Sequence, residues 1–360
     1  MRARGRYVAA ALVAGLMTLS AVSCQGRGDG GPDGFTVGLL LPSRSLARWE
    51  QSDKPLIEQR LKELCPDCAV QYANAEDDAA QQRQQMSSMI TKGVGVLILD
   101  AADTKALRSS IQEARKAGVP VVAYDRLAEG PVSGYVGFDG GRVGELQGEA
   151  LLKGMGDRGG DRTVVMMNGD PRSPNAAWYR SGALSVIEGK VTIGRSYDIQ
   201  SWNTENAHAR MSAAIAALGP DRIGGVLAAN DAIAAGVVAA LKRAGVRQFP
   251  PVTGQDAELG AVRRILQGEQ YMTVYKPFRQ EAAAAAAMAV ALGRGGDAGD
   301  AATTTIDSPT TRNIPSVLLT PRAVTVDTIA RTLVKDGVYT VDQICTPRLR
   351  AACEKAGLIP

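Results

Sequence analysis

Residues 223–236, IGGVLAANDAIAAG, constrain the fold of this chain more than any other stretch. A short apolar run (Val226, Leu227, Ala228) passes into the polar pair Asn230-Asp231 and then into an alanine-rich segment with helical periodicity. An unbroken apolar run suits a parallel strand buried on both faces, and a polar residue at its end opens the following helix. Open α/β sheets bind ligands in the crevice outside such strand ends, although Asp231 at the helix start also suits the plainer role of an N-cap. Two further stretches repeat the pattern: residues 119–124 (VPVVAY) end in Asp125-Arg126, and residues 251–254 (PVTG) end in Gln255-Asp256. Three strand ends, each with a carboxylate beside a guanidinium or an amide, describe a site for a polyol, whose hydroxyls both donate and accept.

The same period of strand then helix runs through the chain. Strands are expected over 35–41, 69–72, 94–99, 119–124 and 134–138, and helices over 46–64, 79–91, 103–117 and 140–152. The pattern then restarts, with strands over 162–168, 191–197, 223–228 and 252–255 and helices over 175–188, 205–218, 231–244 and 258–267. At 360 residues there is material for two domains, each with its own core. A strand over 272–275, a helix over 280–292 and a strand over 317–320 are left to cross between them. That arrangement predicts a hinged α/β protein of two doubly wound lobes. A helix is expected over 327–336, while 303–313 and the tail to Pro360 show no readable pattern beyond their cysteines.

Several function classes drop out. No G-x-G-x-x-G or phosphate loop follows the first strand, where the chain instead carries Arg48-Trp49, and there is no G-x-S-x-G elbow. The single histidine, His208, sits in a polar helical context without ligand spacing, so neither a metal nor a cofactor is expected, and the chain does not read as an enzyme. The formal charge of +4 counts Arg2, Arg4 and Arg6; without those three it is near +1, which gives no basic surface for nucleic acid.

Those arginines open a leader over 1–23, basic then apolar, that reads as an export signal too short to span a membrane. Ala21-Val22-Ser23-Cys24 resembles a bacterial lipobox, with alanine where leucine is preferred, and makes Cys24 the expected lipid attachment point; ordinary signal cleavage needs the same small residues. Glycine-rich residues 24–34 follow as a flexible tether. The other four cysteines form two local pairs, Cys65-Cys68 and Cys345-Cys353, whose closure as disulfides makes the smallest loops of the three possible connectivities. Cys65 and Cys68 end a helical pattern instead of starting one, which argues against a redox role.

From about residue 35 to 337 the chain resembles the sugar-binding proteins of ABC importers, the type I periplasmic-binding-protein family. The resemblance rests on nine stretches in order: Leu46-Ala-Arg-Trp49, Ala123-Tyr-Asp-Arg126, Phe138-Asp139, Val143-Gly-Glu-Leu-Gln147, Ser173-Pro-Asn175, Ala229-Asn-Asp231, Gly254-Gln-Asp-Ala257, Met272-Thr-Val-Tyr-Lys-Pro277 and Leu318-Leu-Thr-Pro321. It implies three hinge crossings, near Asp139, Lys276 and Thr320. The N-terminal lobe is then 35–138 plus 277–320, and the C-terminal lobe 139–276 plus 321–360.

The family's sugar-contacting positions carry over onto Arg48, Trp49, Asp125, Arg126, Asn175, Arg180, Trp202, Asn230, Asp256 and Lys276. The chemistry agrees: carboxylates accept from hydroxyls, cations donate to them, amides do both, and indoles cover the flat C–H faces of a pyranose. Each hydrogen bond to a charged group is worth roughly 1.5–3 kcal/mol. Plainer roles stand beside these. Trp49 two turns before Leu56 also suits a core, Asp125-Arg126 a surface turn, Lys276 a solvated strand end, and Trp178 packing only. The resemblance implies a monomeric, exported protein at the outer face of the cytoplasmic membrane or in the periplasm. It would capture an aldose, D-xylose before glucose or ribose, for an ABC permease, or else dock on a membrane receptor as a sensor.

Overall fold

In the computed structural model, which describes residues 34–156 and 163–360, nearly every apolar run becomes a strand and each periodic segment after it a helix. The leader, Cys24 and the tether as far as Asp33 lie outside the described residues. The first lobe begins with β1 (Thr36–Leu41), α1 (Lys54–Leu64), β2 (Ala69–Asn74), α2 (Ala79–Thr91), β3 (Val96–Leu99), α3 (Arg108–Lys116), β4 (Val121–Tyr124) and β5 (Gly134–Phe138). The second follows with α4 (Gly140–Met155), β6 (Thr163–Asn168), α5 (Pro174–Ile187), β7 (Thr192–Asp198), α6 (Thr204–Leu218), β8 (Ile223–Ala228), α7 (Asp231–Arg243), α8 (Leu259–Leu266) and β9 (Thr273–Tyr275). The chain then returns with α9 (Phe278–Gly293), β10 (Thr304–Ile306) and β11 (Ile314–Leu319), and leaves again through β12 (Arg322–Val324), α10 (Val341–Ile344) and α11 (Arg350–Lys355).

Seven strands form the first sheet in the order β10-β11-β5-β4-β3-β1-β2, parallel except for the β10 edge. The second lobe holds the parallel sheet β7-β6-β8, and β9 pairs antiparallel with β12 in a separate ribbon. Three passages join the lobes: β5 to α4, β9 to α9, and β11 to β12. Strands β3, β4, β5 and β8 are buried throughout, as sheets covered on both faces require. On the second lobe α4 and α5 lie against each other where side chains would not fit. A Cβ on Gly144 would stand 2.0 Å from the Tyr179 carbonyl oxygen, and one on Gly182 2.0 Å from that of Gly141.

The structure departs from the sequence reading in several places. The helix expected over 46–64 is interrupted by a π turn at Trp49–Asp53 before α1 begins, because Pro55 has no N–H to give an unbroken helix. No strand forms over 252–255 beyond one bridge, Val226 to Val252. There the Thr253 hydroxyl takes the place of a backbone ladder, accepting from Ala228 N at 2.9 Å and donating to Ala228 O at 3.0 Å. The helix expected over 327–336 is a 3₁₀ turn followed by a π turn. The tail is not featureless: Ile344, Leu349 and Cys353 pack into a cluster with Val262, Ile265 and Leu333. Both local cysteine pairs are brought together, with Cα atoms 5.2 Å apart for Cys65 and Cys68 and 6.0 Å for Cys345 and Cys353. Among the described residues no helix is long and apolar enough to cross a membrane.

Candidate functional site

The strand ends of the two lobes face each other across a closed cavity. Its wall from the first lobe is Arg48 and Trp49 at the start of the π turn after β1, Arg48 being the residue that precedes the turn, with Asp125 and Arg126 after β4; from the second come Asn175 and Tyr179 on α5, Trp202 after β7, Asn230 at the N-cap of α7, and Gln255 and Asp256. Lys276 reaches in from the crossing after β9. The local backbone is unusual. Asp125 (φ 53°), Ser201 (57°), Trp202 (52°), Asp256 (97°) and Ala257 (51°) all occupy the left-handed region that non-glycine residues seldom adopt, and such residues cluster at binding sites.

Arg48 is the centre of the charge network. Its Nε and Nη2 grip Asp53 at 3.0 and 2.9 Å, and Nη2 also reaches Glu281 Oε2 at 3.2 Å. The remaining Nη1 donates across the cavity to Asp125 Oδ1 at 3.0 Å and Asp256 Oδ1 at 3.4 Å. Trp49 and Phe278 sandwich the guanidinium, with ring centroids 4.0 and 4.1 Å away, a cation–π arrangement that holds it flat. Lys276 Nζ lies 3.0 Å from Asp125 Oδ1 and 3.2 Å from Asp256 Oδ1, and Asn175 Nδ2 donates to Asp125 Oδ2 at 2.9 Å. Arg126 donates to Ala101 O and stands 3.3 Å from Asp100.

Burial and neighbouring charge divide the acids into two groups. Burial alone would raise the Asp125 carboxyl, but Lys276 and Arg48 overcome it and hold the group well below its ordinary range. Burial drives Glu281 and Asp100 well upward, and the cations beside them do not compensate. Asp53, Asp125 and Asp256 are set beside Arg48, Arg126 and Lys276, three acidic side chains to three basic ones. The site is close to neutral, which suits an uncharged ligand.

Four polar atoms lining this cavity have no partner among the described residues: the indole nitrogens of Trp49 and Trp202, Asn175 Oδ1 and Gln255 Oε1. Two donors and two acceptors left open in a buried site are what a ligand bearing hydroxyls would satisfy. The free space is about 20 Å³, room for about one water molecule and far below the roughly 300–1,000 Å³ of an ordinary ligand pocket. The lobes are thus shut on each other, and a ligand enters only when they part. Larger hollows exist, one of about 570 Å³ beside residues 244–251, but it gathers no comparable set of buried charges.

Nine of the ten expected residues meet here; Arg180 does not. It is exposed and lines a separate hollow of about 280 Å³ with Lys105, Glu129 and Asp198. The reason is helical geometry. Five residues beyond Asn175 places Arg180 about 140° around α5, whereas Tyr179, four residues on, shares the Asn175 face. Tyr179 lines the cavity and meets Trp202 edge to face at 6.1 Å. Counting along α5 from Asn175 was the signal that could have found it. Asp53, Glu281 and Phe278 carried no strand-end signal and were missed. Asp231, on a strand end, turns away from the cavity and accepts from Gln270, Thr273 and the Glu258 amide. Trp178 packs against Gly140, in keeping with a packing role.

Comparison with known proteins places this geometry. A family model described as periplasmic binding protein domain matches residues 37–297. The D-xylose-binding periplasmic protein of Escherichia coli (strain K12) is 34% identical over 309 residues, covering 84% of this chain and 90% of that protein. A multiple sugar-binding periplasmic receptor of Rhizobium radiobacter is 32% identical over 332 residues, covering 87% and 93%. Among solved structures, an ABC transporter solute-binding protein from Clostridium phytofermentans with bound β-D-glucose superposes with a TM-score of 0.79 at 31% identity, covering 86% of this chain and 99% of that one. With its two lobes, three crossings and cleft of strand ends, the chain belongs to the type I periplasmic-binding-protein family and is a solute-binding protein, not an enzyme.

Proposed function

We propose that this protein captures an uncharged aldose, D-xylose before other monosaccharides, between its lobes and delivers it to an ABC-type permease. The observation that carries the reading is the set of four unpartnered polar atoms beside two indoles and a charge-balanced ring of Asp, Arg and Lys in one closed cavity. Relatives named for D-xylose and for multiple sugars, and a solved relative holding glucose, support the ligand class. Xylopyranose can place all its hydroxyls equatorially, toward a rim of Asp, Asn and Arg, while the two indoles cover its faces. Ribose must turn one hydroxyl toward an indole.

Arg48, Trp49, Asp125 and Arg126 come from one lobe and Asn175, Tyr179, Trp202, Asn230 and Asp256 from the other, so a sugar touching both binds the shut form better and drives closure. In this reading the protein is exported as a monomer and Cys24 carries a lipid that tethers it to the outer face of the cytoplasmic membrane. Calorimetry with D-xylose, D-glucose and D-ribose tests the ligand: xylose is expected to bind most tightly, and a lower dissociation constant for ribose overturns the assignment. Fractionation of cells making the Cys24→Ser variant tests the anchor, since retention in the membrane fraction would refute it.

A further inference from the structure

The lobes meet a second time, outside the sugar cavity and at the sheet edges farthest from the crossings. β2 and β7 are those edges, and the loops after β2, β3, β6 and β7 converge there. Arg172, between β6 and α5, donates from Nη2 to Asp77 Oδ2 of the opposite lobe at 2.8 Å and from Nη1 to the Asp77 carbonyl at 3.2 Å. Its own carbonyl accepts from the Thr104 amide at 3.2 Å, again across the lobes. Ser201 Oγ also donates to Asp77, and Asp170 ties the second-lobe side together, accepting from Arg172 Nη2 at 2.6 Å and from Ser201 N at 2.5 Å.

Both loops are held in backbone conformations that seldom form unaided. Glu76 (φ 49°) and Asp77 (66°) on one side, and Ser201 and Trp202 on the other, are in the left-handed region. Trp202 is also the indole of the sugar cavity. Its ring lies so close over Gly169, next to Asp170, that a Cβ there would stand 2.0 Å away. One turn therefore carries both the cross-lobe contact, at Ser201, and the aromatic wall, at Trp202.

We infer that Asp77 and Arg172 form a latch that engages when the lobes shut and acts as a pair of positioning residues, fixing Trp202 over the bound ligand and slowing its release. The inference rests on the reading of the cavity as a sugar site between moving lobes. Asp77 and Arg172 keep 24% and 32% of their side-chain surface in water, so the latch is screened by salt and its effect is moderate. Because it spans the two lobes it can hold only when they are shut, after the ligand has entered, which places its effect in the release rate instead of the association rate.

Stopped-flow release of D-xylose from the wild type, Asp77→Ala, Arg172→Ala and the double variant reads this directly. Release is expected to rise about fivefold in each single variant and no further in the double, with association unchanged within about twofold. Raising salt should speed release from the wild type and leave Asp77→Ala unmoved. Unchanged release in Asp77→Ala, or rates that multiply in the double variant, overturn the latch. A merely structural role would lower the melting temperature of the ligand-free chain and spare release; Asp77, on a half-exposed turn, is the variant that separates the two. If the wild type binds no xylose, the sugar reading fails and the latch is read by hydrogen exchange of the ligand-free chain. Its Thr104 amide, bonded to the Arg172 carbonyl only when the lobes are shut, then exchanges more slowly in the wild type than in Asp77→Ala, and equal exchange in the two refutes the latch.

Discussion

Replacing Glu281 by glutamine should stabilise this protein at neutral pH and leave it unchanged in acid. The side chain is fully buried on α9; Oε2 accepts from Arg48 Nη2 at 3.2 Å, while Oε1 has no partner among the described residues. Burial raises the carboxyl first, the charge on Asp125 raises it further, and Arg48, already gripped by Asp53, does not offset them. A folded pKa above the unfolded value of about 4.3 means that the protonated acid favours the folded state. That contribution is whole below about pH 4.3 and is lost as pH rises through the folded pKa. Glutamine has nearly the same shape and cannot ionise, so it escapes the loss. Above pH 4.3 the gap in favour of the variant should widen by about 1.4 kcal/mol per pH unit until Glu281 itself ionises in the fold. At about 2–4 °C per kcal/mol for a lobe of this size, that is roughly 3–5 °C per pH unit. Paired thermal melts from pH 4 to 8 measure it, and groups common to both proteins cancel. If Glu281→Gln melts below the wild type at pH 7 by an amount that does not vary with pH, Glu281 is an ionised partner of Arg48 and the charge balance drawn for the cavity is wrong.

Other substitutions separate the wall of the cavity from its surroundings. Arg180→Ala should change sugar affinity by less than about twofold, since the side chain lies in its own exposed hollow; a tenfold loss in calorimetry would return it to the site. Gly169→Ala should weaken sugar binding roughly tenfold by lifting the Trp202 indole, an effect an aromatic contact of about 1.4 kcal/mol can account for. Exported protein digested without reduction should yield the linked peptides Cys65-Cys68 and Cys345-Cys353, and free thiols or crossed pairs would contradict the local pairing.

The lobes were legible because buried parallel strands are nearly pure apolar runs and their ends are polar, a contrast that survives in a single sequence. Asp125, Asn230 and Asp256 announced themselves in that way. Asp231 bears the same mark but serves Gln270 and Thr273 below the cavity, because adjacent residues at a helix start point in different directions. Arg180 shows the limit of carrying a residue set over by position: its place on α5 turns it away, and the helical period would have chosen Tyr179. The π turn at Trp49–Asp53 is invisible to a period count, and with it the grip of Asp53 on Arg48. Glu281 reaches the site from α9, some 230 residues along the chain from Arg48, and only the returning crossing brings the two together. The latch pairs Asp77 with Arg172, neither on an apolar boundary, so no local pattern marks it.

Within the shut cavity Asp256 is already spoken for by Arg48 and Lys276, across the gap a ligand must occupy. Any ligand competes with the protein's own side chains, so its apparent affinity is its contact energy less whatever the self-paired form retains. For sensor engineering this decouples two properties normally adjusted together. Changes that shift only the self-paired form, far from any hydroxyl, should move the response window for every accepted ligand by the same factor. A graded series of reporters, each reading a different concentration range with one unaltered preference, can then be drawn from this scaffold without redesigning a ligand contact.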